Sequence, residues 1–327
     1  MYPGRWVQMV KMEVPGSMVN TQDQTSTSPD SHPYTLNPFL GEENSLVSGT
    51  SKRFFVPDLH GALSIKGVLS GSVTWETGGQ RFVVRENSYL VVNQGQPYTF
   101  TIDSTTPTTT MSVFFQRGFV EEVHRNLTQS DSALLDSPYG APPGSLNFMQ
   151  RLEPEPSGVL DSLRGLYAAR VRDQLSCTST EEAFFCLAHA LVREFPRTEE
   201  AASRLSAARA STRKELLRRA LRGRDCLLSR MDEPVSIADA ASAACLSPFH
   251  FLRTFRAAFR VTPHQFLTTQ RLARARALLC SGKHTVTDVC LDSGFQSLGS
   301  FSSLFRRHFG VSPQDVQRAR TVEIAVR

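Results

Sequence analysis

Two stretches of the 327-residue chain repeat one pattern: "SPFHFLRTFRAAFRVTPHQFL" (Ser247–Leu267) and "SLGSFSSLFRRHFGVSPQDV" (Ser297–Val316). In both, phenylalanine recurs at every fourth position, which places the rings along one side of an α-helix. The repeat therefore predicts two helices of one design, each with an aromatic stripe facing a core. The equivalent residues lie 50 positions apart and pair Phe251, Phe255, Phe259 and Pro263 with Phe301, Phe305, Phe309 and Pro313.

A shorter helix is predicted before each stretch, in "SIADAASAA" (Ser236–Ala244) and "TVTDVCLDS" (Thr285–Ser293). After a turn, Ser247 or Ser297 can cap the second helix, because a serine oxygen accepts a hydrogen bond from a free N–H group of the first turn. The Thr or Ser before the proline of "RVTP" and "GVSP" can cap the helix that follows. A short helix, a tight turn and a second helix with an apolar back predict a helix-turn-helix, present twice.

The outward face of each second helix is free of acidic residues, since neither Phe249–Phe259 nor Leu298–Phe309 contains Asp or Glu. A face that is merely solvated normally mixes acidic and basic side chains. Arginine can bind guanine or clamp a phosphate, and Ser and Gly allow close approach to base edges. The two faces therefore favour DNA binding; they carry Pro248, Phe249, Leu252, Arg253, Arg256 and Arg260 on the first helix and Leu298, Gly299, Ser300, Ser303, Arg306 and Arg307 on the second.

Charge is unevenly distributed along the chain, whose net charge is +5. Residues 1–210 have a balance of −5, whereas residues 211–327 have a balance of +10. A basic domain on an acidic remainder is typical of nucleic-acid-binding proteins, although Arg-rich solvated helices also produce it.

The segment between the two units, Pro263–Gly282, has apolar residues at helical spacing. A helix of about 18 residues spans ~27 Å. With its flanking turns, it could hold two reading helices near the roughly 34 Å that separates successive major-groove faces. The predicted arrangement is one protomer that reads two adjacent segments of the major groove of double-stranded DNA.

The preceding part of the chain has a different texture. Between Phe54 and Gln116, short β-branched and aromatic runs separated by Gly and Asn predict an all-β sandwich or small barrel. Alternation places six residues inward: Leu63, Ile65, Val73, Trp75, Phe82 and Val84. Apolar residues three and four apart predict helices over Val159–Leu175 and Glu181–Phe195, with a break at Cys177–Thr180. The polar segment Gly16–Thr35 is typical of a disordered tail.

The tandem units resemble the DNA-binding domain of the AraC/XylS family of bacterial transcription regulators. The match covers Arg213–Arg320, and "GFQSLGSFSSLFRRHFGVSP" in the second unit carries the family signature nearly unbroken. The resemblance implies contact with RNA polymerase, and backbone contacts from Arg306 and Arg307. It also implies groove-facing positions at Phe249, Leu252 and Arg253 in the first unit and at Leu298, Gly299, Ser300, Ser302 and Ser303 in the second.

One residue departs from the family pattern, which usually has glycine at the turn of both units. Gly294 keeps it, whereas Cys245 replaces it in the first unit. A left-handed backbone at Cys245 costs on the order of 1 kcal/mol, so the first turn is expected to be distorted or less stable. The thiol is expected to be a buried small residue, with a reactive redox thiol as the alternative.

The family also implies a cupin-like sensor barrel in the β-rich segment. Its one histidine is His60, and "GQPYTF" places Tyr98 where a ligating His is common, so no His-rich metal site and no cofactor are predicted. The barrel could bind a small organic effector, although each of its aromatic residues is equally consistent with ordinary core. The candidate lining residues are His60, Trp75, Tyr89, Tyr98 and Phe100.

Three functions are compatible with these features. The first is a sequence-specific transcription regulator whose barrel binds an effector. The second is a DNA-binding regulator without an effector, whose barrel mediates protein association. The third is a cupin enzyme with a basic appendage, which requires a catalytic constellation. The sequence contains no nucleophile motif, ligand cluster or Gly-rich phosphate loop, so an enzyme is not expected.

The predicted architecture is α+β and multidomain. A largely disordered tail (1–50) precedes a cupin-like β-barrel (51–118) and a helical linker (119–210) that could support a homodimer. An all-α domain with two helix-turn-helix units (211–320) and a tail (321–327) follow. No apolar run reaches the roughly 20 residues of a membrane helix, and the first residues do not resemble a secretory signal. The six cysteines form no CxxC pair, so buried free thiols in a cytoplasmic protein are expected.

Overall fold

The computed structural model describes residues 8–11, 40–86, 88–130, 146–154, 158–172, 177–282 and 284–318. They form two compact units. The first contains the chain up to Phe148 together with Gly158–Val192, and the second contains Met149–Ser157 together with the chain from Arg193 onward. The predicted tail segment Gly16–Thr35 and the C-terminal tail 321–327 lie outside the described residues. Within the described part of the chain, no helix has both the length and the apolarity needed to cross a membrane.

The first unit is built on a nearly closed, barrel-like sheet, as predicted. The strands are β1 (Gln8–Lys11), β2 (Ser45–His60), β3 (Ser64–Ser70), β4 (Ser72–Thr77), β5 (Gln80–Arg85), β6 (Ser88–Val92) and β7 (Pro97–Phe114). The long strand β7 pairs antiparallel with β2, β3 and β4. Strand β6 pairs with β3, β5 pairs with β4, and β1 runs parallel to β2. The sheet begins before the predicted barrel boundary at residue 51, because β2 starts at Ser45.

Side-chain alternation explains much of this sheet, and all six residues predicted to point inward are buried. For Ile65 the predicted direction is nevertheless wrong, because Ile65 shares the outer face of β3 with Gly67 and is buried by a helix that covers that face. Strand β3 is an exception to alternation, since every residue from Ser64 to Val68 is buried. The reason is that helix α2 (Gly158–Val171) covers the outer face of β3: a Cβ atom on Gly67 would lie 3.2 Å from the Leu163 side chain. Both faces of β3 are therefore covered.

Two further helices complete the first unit. Helix α1 (Phe119–Thr128) follows the sheet, and helix α3 (Cys177–Ser203) contributes its residues up to Val192. The Phe184 ring of α3 meets Phe115 edge-on at 6.3 Å. The predicted break at Cys177–Thr180 is wrong, because these residues form the first turn of α3; Ser and Thr are common at helix starts. The segment predicted as a linker is thus divided between the two units.

The second unit contains the two predicted helix-turn-helix units. Its elements are the short strand β8 (Leu152–Pro154), α4 (Ala210–Ser229), α5 (Ile237–Ala243), α6 (Pro248–Phe259), α7 (Pro263–Ser281), α8 (Val286–Asp292) and α9 (Leu298–Phe309), followed by helical residues 313–318. Helices α5 and α6 form the first helix-turn-helix, and α8 and α9 form the second.

The predicted caps account for where these helices begin. The hydroxyls of Ser247 and Ser297 accept hydrogen bonds from the backbone N–H groups of His250 and Ser300. Thr262 forms a reciprocal capping box with Gln265 at the start of α7. Because each cap satisfies a backbone donor that the helix itself leaves free, the sequence fixes these boundaries locally.

Candidate nucleic-acid interface

The aromatic backs of α6 and α9 have nearly the same geometry. Phe251 and Phe255 lie 5.5 Å apart, and Phe301 and Phe305 lie 5.6 Å apart, measured between ring centroids. All four rings are fully buried. Burying one aromatic side chain contributes about 2–3 kcal/mol, so these stripes fix which side of each helix faces inward.

The opposite faces are exposed, in keeping with the positions predicted to bind DNA. On α6, the Phe249 side chain is 75% exposed, which is unusual for a large apolar residue and leaves it available for contact. On α9, Leu298 is 45% exposed, and Ser302 is half-buried. The remaining predicted positions are exposed: Pro248, Leu252, Arg253, Arg256, Gly299, Ser300, Ser303, Arg306 and Arg307.

The arginines on these faces differ in their pairing from Arg218 and Arg219 of α4. Among the described residues, Arg253, Arg256, Arg306 and Arg307 form no ion pair with an acidic side chain. On α4, by contrast, both neighbouring arginines pair with Glu215: Arg218 at 3.7 Å and Arg219 at 3.1 Å. The positive charge on α6 and α9 is therefore available to an external anion such as phosphate.

The turns that place α6 and α9 have the same backbone geometry. Cys245 has a φ of 52° and Gly294 a φ of 82°, both left-handed. In each turn the following residue donates to the carbonyl five positions back: Leu246 to Ala241 and Phe295 to Cys290, both at 3.0 Å. The first turn thus keeps the hydrogen bonds of the second, and the expected distortion is absent.

Cys245 is nevertheless exposed, so the expectation of a buried thiol is wrong. The residue that fills the core at this turn is its neighbour Ala244, which is fully buried, while Cys245 follows it on the solvent side. Of the cysteines whose side chains the structure describes, only Cys290 is buried, Cys226 is half-buried, and Cys186 and Cys280 are exposed.

Helix α7 connects the two helix-turn-helix units through contacts that the sequence did not reveal. The Arg271 guanidinium donates to the backbone carbonyls of Met231 (2.6 Å) and Glu233 (2.9 Å), which precede α5. Arg274 pairs with Asp232 at 3.4 Å. The C-terminal half of α7 packs in the core of the second helix-turn-helix through Leu272, Ala275 and Leu279. Helix α7 therefore contacts both helix-turn-helix units.

The candidate effector residues do not all lie on one side of the barrel sheet. Tyr98 and Phe100 project to the same side of β7, and Phe100 stacks on Trp75 with 5.9 Å between ring centroids. Tyr89 lies opposite Gly67 in the β3–β6 pairing and so shares the face that α2 covers. His60 is exposed at the end of β2. The fold brings together three candidates and separates two.

Lys66 is an interior residue that the sequence reading missed. Its Nζ donates to the Tyr98 hydroxyl at 3.0 Å and lies over the rings of Phe114 (3.8 Å) and Tyr98 (4.4 Å). Burial lowers the pKa of the Lys66 amine well below its usual value and raises that of the Tyr98 hydroxyl. Alternation with Ile65 inward would place Lys66 on the outer face. In the structure the two residues are the other way round: Lys66 faces the interior, and Ile65 lies on the face that α2 covers.

Two family models match the chain: an AraC-like ligand binding domain over residues 47–186 and a helix-turn-helix domain over residues 240–319. The chain is similar to the probable transcriptional regulator LumQ of Photobacterium leiognathi (33% identity over 87 residues; 27% of this chain, 35% of LumQ). It is similar to the HTH-type transcriptional activator RhaS of Escherichia coli O139:H28 (43% identity over 60 residues; 18% and 22%). ToxT from Vibrio cholerae O395 is a structural neighbour with 11% identity and a TM-score of 0.34, covering 84% of this chain and 97% of that one. The chain therefore matches only a minor part of the length of LumQ and of RhaS.

Proposed function

Because the chain belongs to the AraC family of transcription regulators, we propose that it controls transcription by binding double-stranded DNA sequence-specifically through α6 and α9. The barrel of the first unit would bind a small-molecule effector. The observation that carries the DNA-binding proposal is the pair of exposed, acid-free helix faces whose arginines form no ion pair within the described residues. This is a binding function and requires no catalytic group.

The two faces supply different kinds of contact to DNA. Arg253 is long enough to bind a guanine edge through two hydrogen bonds, and Phe249 and Leu252 can contact the methyl group of thymine. On α9, Ser300 and Ser303 are short enough to let the backbone approach the bases. Arg306 and Arg307, in the last turn of α9, are assigned to phosphate. A homodimer and a cytoplasmic location remain predictions from the sequence, and contact with RNA polymerase remains a prediction from the resemblance.

The test begins by mapping the genomic sites that the full-length protein binds. Affinity for one mapped site and for its scrambled version is then measured by fluorescence anisotropy over a series of salt concentrations. Replacing both Arg306 and Arg307 by alanine should weaken binding to both DNAs. It should also reduce the slope of log affinity against log salt by about 2, since each lost phosphate contact removes about one unit. Arg253→Ala should instead weaken the mapped site by about 1–3 kcal/mol and the scrambled site less.

The matched control is the double variant Arg218→Ala, Arg219→Ala, which removes the same charge from arginines already paired with Glu215. It should leave the salt slope close to that of the wild type. If the control lowers the slope as much as the α9 variant does, the DNA contact is not on α9, and the proposed interface is wrong.

A further inference from the structure

The interior of the barrel contains the amine of Lys66, which has no acidic partner among the described residues. Lys66 is 1% exposed, and among the described residues it forms no ion pair. Its hydrogen-bond acceptor is the Tyr98 hydroxyl, and aromatic rings provide its other close contacts. Lysine is almost never fully buried unless it is paired, because removing an ammonium group from water costs several kcal/mol. A fold that retains Lys66 inside therefore indicates a partner that the described part of the chain does not supply.

A second polar group points into the same interior without a partner. Ser64 lies two residues before Lys66 on β3, so both side chains project from the same face of the strand. The Ser64 Oγ atom is fully buried and has no hydrogen-bond partner among the described residues. Buried hydroxyl groups are usually satisfied, so an orphaned one on the same strand face as the Lys66 amine indicates that a ligand atom completes the bonding.

The groups around Lys66 are hydrogen-bond donors in apolar surroundings. The Tyr98 hydroxyl accepts from Lys66 and keeps its own proton to donate; the Ser64 hydroxyl can donate as well. The register partners of Lys66 on its two sides are Leu90 and Ser112, neither of which carries charge. A carboxylate accepts several hydrogen bonds and offers one negative charge, which matches this set of groups. A phosphate dianion would bring more charge than one lysine can neutralise.

The rest of the interior indicates the body of the ligand. Phe100 stacks on Trp75 and lies 5.2 Å from Phe54, so one end of the interior is aromatic. Such a surface favours an apolar or aromatic group, while the polar end fixes its orientation.

We propose that the barrel binds an effector that carries one carboxylate on an apolar or aromatic body, with Lys66 as counter-ion and Tyr98 and Ser64 as hydrogen-bond donors. The proposal rests on the proposed sensing function of the first unit and names the chemical class of its effector.

The test uses isothermal titration calorimetry on the full-length protein. The probes are benzoate, phenylacetate and octanoate, each compared with its primary amide, which has the same shape but no charge. At least one carboxylate should bind the wild type, and its amide should bind at least about tenfold more weakly, as expected for loss of a charge-assisted hydrogen bond. Lys66→Met should reduce carboxylate affinity by at least about tenfold.

Two further variants keep the result interpretable. Tyr98→Phe removes one hydroxyl and should lower the affinity for the same carboxylate several-fold. This variant provides a second measurement if Lys66→Met fails to fold. Lys52→Met removes an exposed lysine from β2 and should leave carboxylate binding unchanged. If Lys66 had only a structural role, Lys66→Met would unfold at a lower temperature. The variant would still bind the carboxylate more tightly than the amide.

The proposal is overturned if no carboxylate of the panel binds, if the amides bind equally well, or if Lys66→Met binds carboxylate like the wild type. DNA binding is measured in parallel on a mapped site. If the protein binds DNA but shows no preference for a carboxylate, only this inference is wrong. Carboxylate binding without DNA binding removes the proposed regulator function and leaves this site in place.

Discussion

At the scale of single residues, the turn at Cys245 combines family-like geometry with an unfavourable side chain. The residue has a left-handed backbone, which costs a residue with a Cβ atom on the order of 1 kcal/mol relative to glycine. The Cys245 side chain is exposed and so contributes little packing in return. We therefore expect Cys245→Gly to raise the free energy of unfolding of the second unit by about 0.5–1 kcal/mol.

The measurement is urea unfolding of the full-length protein followed by far-UV circular dichroism, which reports chiefly on helices. The matched change is Gly294→Ala at the equivalent turn. There a Cβ atom would lie 2.4 Å from the Met231 carbonyl oxygen, and φ is also left-handed, so stability should fall. The strain argument is contradicted if Cys245→Gly destabilises the protein or if both changes have the same sign.

At the scale of elements, strand β8 is attached to helix α4 by the buried side chains of Arg224 and Asp225. The Leu152 N–H group donates to the Asp225 carboxyl at 3.2 Å, and the Arg224 guanidinium donates to the Leu152 carbonyl and to Asp225. Burial raises the pKa of Asp225 to about 7, although the neighbouring Arg224 opposes the shift. Removal of the carboxyl from water outweighs its attraction to the guanidinium.

This shift predicts a pH dependence of stability. The folded state holds the Asp225 proton up to pH of about 7, whereas the unfolded chain releases it near the ordinary value of 3.8. The folded state therefore binds more protons between these values, and the contribution of Asp225 to stability is present in full below pH 3.8 and is lost as the pH rises towards 7. In Asp225→Asn, unfolding free energies measured from pH 5 to 8 should fall less steeply than in the wild type. Parallel pH profiles for the two proteins would show that burial does not control this carboxyl.

The elements also show which features a sequence can predict. The phenylalanine stripes and the caps at Ser247, Thr262 and Ser297 depend on residues three or four apart, so local spacing was sufficient. Lys66 could not be placed, because alternation describes a strand with one buried face and β3 has two. The sequence offers no difference between Tyr89 and Tyr98 as candidate lining residues. Only the pairing of their strands shows that they lie on opposite faces of the sheet.

At the scale of the whole DNA-binding unit, the contacts of α7 connect the two helix-turn-helix units rigidly. Its N-terminal Phe266 packs against Phe255 of α6, with 5.7 Å between ring centroids, while its C-terminal half lies in the core beneath α9. Arg271 bonds to two carbonyls of the loop before α5, and that same loop lies close to Gly294 of the second turn. Relative rotation of the two helix-turn-helix units would break these bonds and expose part of both cores.

A rigid connection predicts how the protein responds to altered operator spacing. Helix α7 has 19 residues and so extends about 28 Å, which commits α6 and α9 to one separation on DNA. Inserting 5 or 10 base pairs between the two contacted segments of a mapped site should therefore lower the affinity to the same level, that of one unit binding alone. The affinity of the wild type for either inserted site should equal the affinity of the Arg306→Ala, Arg307→Ala variant for the original site, as measured by fluorescence anisotropy and footprinting.

Two protomers joined flexibly would behave differently, because 10 base pairs restore the same face of the double helix and binding would recover. Recovery at 10 but not at 5 base pairs would thus show that the two segments are read by separate copies of the chain and not by the two units of one.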